Sequence, residues 1–307
     1  MSTIEKFISK FARLHIDRSK GAPAPHKPIL LLSIISEIKV GNILENRIYI
    51  TPELVARFKD YWYQLVHNPT FSSNFSLPFY HLKSEGFWFL HTFIGKELML
   101  TSSYSIKSFG QLKDVVDFAS FDEALYDLLI NGQTRKILRN TLLNTYFNGN
   151  NASENNITII EISNQILNDP PTIYKTRAEQ FDEEDVFVRG GVFKKEIPRI
   201  YNYTCCISGM RIIAGDSIQM IDACHILPFS ESHDDTICNG ISLCPNLHRA
   251  FDRHLIAIDE NYKVEVKPFG EDISAYSIKQ FEGTEILLPE NTNHYPSQHN
   301  LGKHTYK

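Results

Sequence analysis

The chain has 307 residues, of which 42% are hydrophobic and 22% charged, with a formal net charge of −5. That length suits two modest domains, each able to bury a core, and the composition is that of an ordinary globular protein. The negative balance excludes a protein that coats nucleic acid indiscriminately, so any hold on a polyanion must come from local basic patches.

In chain order, Ser2 and Glu5 form a capping box, and Ile4, Phe7, Ile8, Phe11 and Leu14 recur at helical spacing, which predicts an amphipathic helix ending near Asp17. A loop containing Gly21, Pro23 and Pro25 leads to His26, Lys27 and Pro28, and the almost wholly apolar stretch 29–38 predicts a central helix that Gly41 ends. Thr51, Pro52 and Glu53 open a third helix to about His67. Residues 71–82 read as an aromatic loop and 87–90 as a strand. A second capping box, Ser120 to Glu123, starts a helix through Leu125, Leu128 and Leu129, and another follows Gly132 through Leu138, Leu142 and Tyr146.

The Asn-rich stretch after Phe147 has the character of a linker, which divides the chain into 1–147, a linker at 148–185 and a second domain at 186–307. Residues 187–201 read as a basic helix entering the second domain. Two basic patches stand out, one of Arg13, Arg18, Lys20, His26 and Lys27, the other of Arg189, Lys194, Lys195, Arg199 and Arg211. Near the end, 262–266 and 286–289 read as strands, and the polar tail from Asn291 wraps the domain. No apolar run approaches membrane-spanning length and residues 1–19 lack a signal-peptide core, so a cytoplasmic chain without a membrane partner is expected. Five cysteines clustered within 205–244 read as reduced thiols.

The densest chemistry lies between Tyr203 and Asp259. A short strand at 220–226 would deliver Asp222 and His225 before Leu227 and Pro228 break it. A polar loop, an apolar run at 239–243 and a helix opened by Pro245 follow, and that helix carries His248 with Asp252 one turn later. Phosphodiester hydrolysis needs a base for water, a cation for the phosphate charge, and a group that holds the base in one orientation. His225 suits the base, its ordinary pKa lying near neutrality. His248 with Asp222 and Asp252 suits a divalent ion, and Asn239 suits a brace for the loop that aims His225.

The segments 203–209 (Tyr-Thr-Cys-Cys-Ile-Ser-Gly), 223–228 (Ala-Cys-His-Ile-Leu-Pro), 239–244 (Asn-Gly-Ile-Ser-Leu-Cys) and 247–252 (Leu-His-Arg-Ala-Phe-Asp) resemble the HNH, or ββα-metal, endonucleases. His225, Asn239 and His248 fall on the three signature positions, which the resemblance makes catalytic. Cys224 stands where many members have an acidic metal ligand, and Asp222, two residues away on the same strand face, is the substitute. The paired Cys-x-x-Cys motifs of many relatives are incomplete, since Cys206 is followed three residues on by Gly209 and Cys244 by Leu247. A structural zinc is therefore not expected, and Cys206 is expected to pack with Cys244 in the core.

The first half is similar to the sulfur-binding domain of type IV, phosphorothioate-dependent restriction enzymes, through residues 26–32 (His-Lys-Pro-Ile-Leu-Leu-Leu), 77–82 (Leu-Pro-Phe-Tyr-His-Leu) and 86–88 (Gly-Phe-Trp). By motif position Leu77, Pro78 and His81 would line the sulfur site, with Arg18, His26 and Lys27 on the DNA backbone; Lys194 and Arg199 of the second basic patch are the DNA contacts expected from the second half. The residue before the proline is often aromatic in the family, and here it is Leu77. The expected whole is α+β: a mainly helical DNA-reader domain with a small sheet, then a ββα-metal nuclease domain. Its implied activity is modification-dependent restriction of double-stranded DNA with Mg²⁺ or Mn²⁺, leaving a 5′-phosphate and a 3′-hydroxyl, and a double-strand break implies a homodimer or two nicks. Two other readings stay open: a DNA-binding module with a degenerate nuclease site, and an HNH nuclease whose first domain binds a protein partner.

Overall fold

The computed structural model describes residues 2–19, 21–100, 106, 108–150, 152–178, 180–214, 218–271 and 276–305, so Lys20 of the first basic patch lies outside the described residues. The chain divides into two compact units, Met1–Ile159 and Ile160–Lys307. Among the described residues no helix is long and apolar enough to cross a membrane.

Unit one is built on α2 (His26–Lys39), in which every residue from Lys27 to Ile38 is buried. A helix apolar on all sides is stable only when neighbours cover it, and α3 (Pro52–Leu65), α4 (Ser76–His81), α6 (Glu123–Ile130) and α7 (Gly132–Tyr146) do so. α1 (Thr3–Ala12), closed by the Ser2–Glu5 capping box, packs on α7 and ends five residues before Asp17 because Arg13 leaves helical geometry. β1 (Trp88–Thr92) pairs antiparallel with β2 (Val116–Phe121), with α5 (Phe109–Val115) leading into the second strand.

Two expectations change in detail. The capping residue of α6 is Asp122, whose side chain accepts from the Ala124 amide, because Ser120 and Phe121 are taken up by β2. The stretch 71–82 is not all loop: Asn74 Oδ1 accepts from the Leu77 amide at 2.9 Å and starts α4, which a period count misses because most of its faces are covered. The Asn-rich stretch beyond Phe147 is also pinned, since Glu154 forms ion pairs with Arg139, Nε to Oε1 at 2.9 Å, and with Lys39, while the Ser153 amide donates to Gln64 Oε1 at 2.7 Å.

α8 (Ile157–Asn168) spans the division between the units. Unit two continues with α9 (Pro171–Ala178) and the long α10 (Glu183–Ile200), closed at its start by an Asp182–Asp185 capping box. A hairpin of β3 (Ile213–Ala214) and β4 (Ile218–Gln219) precedes β5 (Asp222–His225), the short α11 (Phe229–Ser232), β6 (Gly240–Leu243) and α12 (Pro245–Asp252). β5 and β6 are antiparallel, Asp222 opposite Leu243 and His225 opposite Gly240. α10 crosses their back so closely that a Cβ on Gly240 would lie 2.1 Å from Ile197 Cδ1 and 2.8 Å from Phe193 Cζ. β7 (Ile256–Ile258) and β8 (Val264–Val266) form a last pair, against which α13 (Gln298–Thr305) packs through β7. Residues 286–289 form no ladder; instead the Leu287 amide donates to Cys206 O at 2.7 Å.

Candidate functional site

In unit two the strand pair and α12 bring the candidate residues together. Alternation along β5 sends Asp222 and Cys224 toward α12, and His225 turns to the other side, against α10. On the α12 side, His248 Nδ1 lies 3.2 Å from Asp222 Oδ2 and His248 Nε2 lies 3.5 Å from Asp252 Oδ2. The i,i+4 spacing on one helical turn sets the second contact. Ligand atoms of Cys224, His248 and Asp252 lie within 4.8 Å of one another. An open cleft of about 540 Å³ lined by Asp222, His248, Arg249, Asp252 and Arg253 lies over this cluster.

The donors suit a divalent cation in kind, carboxylate oxygens and an imidazole nitrogen, with Asp222 and Asp252 meeting the His248 ring at different nitrogens. Cys224 differs in kind. Burial, then the charge of Asp252, pushes its thiol well above the usual range, so it remains S–H and points at Asp252 Oδ1 at 3.9 Å. A soft sulfur donor matches a hard ion poorly, so the carboxylates and His248 are the candidate holding groups.

On the α10 side the His225 ring lies flat on Phe193, centroids 3.9 Å apart and planes 3° from parallel. Its Nε2 lies 2.7 Å from Oδ1 of Asp235, a carboxylate that is 2% exposed although it sits in the loop between α11 and β6. Asn239 is fully buried and ties that loop down: its Nδ2 donates to Leu227 O at 2.9 Å and Asp234 O at 2.8 Å, and its Oδ1 accepts from the Leu227 amide and from Asn300 Nδ2, each at 3.0 Å. Asn239 thus ties Leu227, two residues after His225, to Asp234, which precedes Asp235, and it is not among the residues lining the cleft.

In unit one a cavity of about 420 Å³ is lined by His15, Asp17, His26, Lys27, Phe71, Leu77, Pro78, His81 and Ser84. Its wall is less cationic than the sequence suggests. Lys27 is buried and donates to His15 O at 2.7 Å, Ser84 Oγ at 3.0 Å and Glu85 Oε1 at 2.5 Å, so its charge is answered within the fold. Burial, then the charges of Lys27 and Lys83, lowers the pKa of His81 below its ordinary value, which keeps that imidazole neutral at pH 7. Leu77 stays 42% exposed at the mouth and Pro78 is buried beside it.

Residues 205–259 match the HNH endonuclease family, and residues 4–155 match the ScoMcrA-like DNA sulfur-binding domain family. The chain joins a DNA sulfur-binding domain to an HNH endonuclease domain. A solved structure, "Modification dependent TagI restriction endonuclease", shares 22% identity with it over 36% of this chain and 35% of that one, with a TM-score of 0.27. This chain therefore spans about a third of that protein. No curated protein matches the chain.

Within the HNH domain the structure gathers Asp222, His248 and Asp252 at one cleft and sets His225 with Asn239 behind its loop. Lys194 and Arg199 lie on exposed positions of α10, and the Arg199 guanidinium pairs with Glu196. Arg189 leaves the basic patch altogether, being 4% exposed. In the sulfur-binding domain His26, Lys27, Leu77, Pro78 and His81 share one cavity; Arg18 is exposed and is not among the residues lining it. The thiol that Cys244 meets is Cys205, not Cys206, and the hydrogen bond from Cys244 lowers the Cys205 pKa.

Sequence reasoning missed Asp235, Phe193 and the place of Cys224 in the cluster. Asp235 reads as one more acid in a polar loop, and Phe193 as core on a helix outside the motif. Only Cys224 carried a signal, its position directly before His225.

Proposed function

We propose that the protein is a modification-dependent DNA endonuclease in which the first domain reads a phosphorothioate and the HNH domain cuts the duplex. The observation that carries the reading is the His225 imidazole, stacked on Phe193 and held by Asp235, at the end of the strand that also supplies Asp222 to the His248 cleft. Asp222, His248 and Asp252 would hold Mg²⁺ or Mn²⁺, whose charge would stabilise the phosphate oxygens and the departing O3′. His225 takes a proton from water, the water oxygen bonds to phosphorus, and the P–O3′ bond breaks. O3′ then takes a proton from solvent, leaving a 3′-hydroxyl and a 5′-phosphate. Asn239 keeps the loop rigid so that the imidazole does not swing away.

The cavity of the first domain supports the choice of modification. Sulfur in place of a phosphate oxygen is larger, more polarisable and less strongly hydrated, so it loses less on entering a site walled by Leu77, Pro78, Phe71 and a neutral His81. Lys27, already answered by Glu85, gives little extra attraction to an ordinary phosphate oxygen. One cutting site per chain breaks one strand, so a double-strand break takes two chains or two visits.

Incubation of phosphorothioated and unmodified plasmid with the protein and Mn²⁺ tests this. Cleavage of the modified plasmid alone, lost in His225→Ala, is the expected outcome; equal cleavage of both removes the sulfur claim, and absence of cleavage with either removes the nuclease claim.

A further inference from the structure

The geometry points to Asp235, held by a buried relay from Arg189 through Tyr174, as the group that fixes the tautomer of His225 and so makes Nδ1 the atom that accepts the proton from water. The inference rests on the reading of His225 as the base and deepens it, since two of the positioning residues it names, Tyr174 and Arg189, lie outside the matched 205–259 segment.

The direction of each hydrogen bond follows from chemistry. Arg189 Nε can only donate, and it lies 2.8 Å from the Tyr174 hydroxyl oxygen. The hydroxyl therefore accepts there and has its own hydrogen to give to Asp235 Oδ2, 3.2 Å away. Burial, then the charge of Asp235, raises the Tyr174 pKa, so that hydrogen stays in place. The carboxylate accepts on Oδ2 and also on Oδ1, where His225 Nε2 lies at 2.7 Å. Nε2 consequently carries the hydrogen, and the lone pair is left on Nδ1.

The parts are held rigidly. Tyr174 is fully buried, Asp235 is 2% exposed and Arg189 4%. The guanidinium sits over the rings of Tyr174 and Phe181, at 4.6 and 4.3 Å from the centroids, and Arg189 Nη1 donates to Gln165 Oε1 at 2.9 Å. A buried cation and a buried anion are thus joined through a neutral phenol. α8, α9 and α10 supply Gln165, Tyr174 and Arg189, so the helices before the HNH motif are part of its catalytic geometry.

The polarity makes a sharp prediction for Asp235→Asn. The new amide has one acceptor and one donor end. Because the Tyr174 hydrogen faces it on one side, the amide oxygen settles there, and the NH₂ turns to His225 and demands an acceptor at Nε2. The imidazole must then shift its hydrogen to Nδ1, which removes the base. Tyr174→Phe alone keeps the carboxylate and hence the Nε2–H form.

The experiment is a long-range proton–nitrogen NMR correlation on the full chain with ¹⁵N-histidine, assigned through His225→Gln, combined with cleavage kinetics. The expected results are an Nε2–H tautomer in the unaltered protein and in Tyr174→Phe, and an Nδ1–H tautomer in Asp235→Asn. In that last variant kcat should fall by about 10²–10⁴, with KM for DNA unchanged within about threefold. An Nδ1–H or mixed tautomer in the unaltered protein overturns the relay whether or not Asp235→Asn folds. So does an Asp235→Asn protein with unaltered kcat. If the protein cuts no DNA while His225 is Nε2–H, the nuclease reading fails and the relay geometry stands.

Discussion

Phe193 lies flat against His225, 3.9 Å between ring centroids and 3° from parallel, so the candidate base is clamped on its face by a helix and on its edge by a carboxylate. The two contacts remove the ring's freedom to tilt and to slide. Replacing Phe193 by Ala deletes one of them and opens a hole behind β5. Unit two should lose about 3–5 kcal/mol in urea unfolding. Phe193→Leu, which keeps the volume, should recover most of the stability but less of the cleavage rate, because an aliphatic side chain gives the imidazole no flat surface.

The α12 side of the strand predicts a separation between ion binding and base function. His225 and His248 turn to opposite sides of β5, so His225→Ala should bind Mn²⁺ as the unaltered protein does while its cleavage is lost. His248→Ala should lose both, since both carboxylates meet on that imidazole. Calorimetric titration with Mn²⁺ checks this, and loss of ion affinity in His225→Ala would contradict the assignment.

Gly240 predicts a steric failure. Its missing Cβ is what lets α10 approach β6, and Gly240→Ala would put a carbon 2.1 Å from Ile197 Cδ1. The helix must move, at a cost of about 1–3 kcal/mol. Urea unfolding followed by the far-ultraviolet helix signal should show the loss, and Gly240→Ala with Ile197→Ala should recover part of it.

The cavity in unit one predicts a pH dependence whose sign is fixed. The His81 pKa is lowered in the folded chain, so the unfolded chain binds the proton more readily. Its contribution to stability is full above the ordinary value of 6.5 and is lost as pH falls through that value toward the lowered one. Unit one should therefore weaken as pH falls below the ordinary histidine value, and His81→Gln should flatten this slope. Over the same window the protonated ring brings a charge to the cavity, so the preference for phosphorothioate over plain DNA should narrow. Competition binding at pH 7.5 and 5.5 measures that; an unchanged ratio would remove His81 from the selecting wall.

Much of this protein is legible in its residues taken singly and in short windows. The capping box at Ser2, the apolar run of α2, Pro52 at the start of α3 and the block order Asp222, His225, Asn239, His248, Asp252 are local patterns, and local patterns determine local elements. The turn spacing that sets Asp252 beside His248 was likewise countable in advance.

What distance along the chain hides, only the folded structure decided. Lys27 reads as a DNA contact until Glu85, 58 residues on, takes its charge, and Arg189 reads as part of a basic patch until Tyr174 and Gln165 bury it. Asp235 reads as one acid in a polar loop until packing seals it against His225. The physical reason is the same in each case: a side chain's charge and hydrogen-bonding role depend on what desolvates it and what answers it, and those neighbours are supplied by elements that no window of sequence contains.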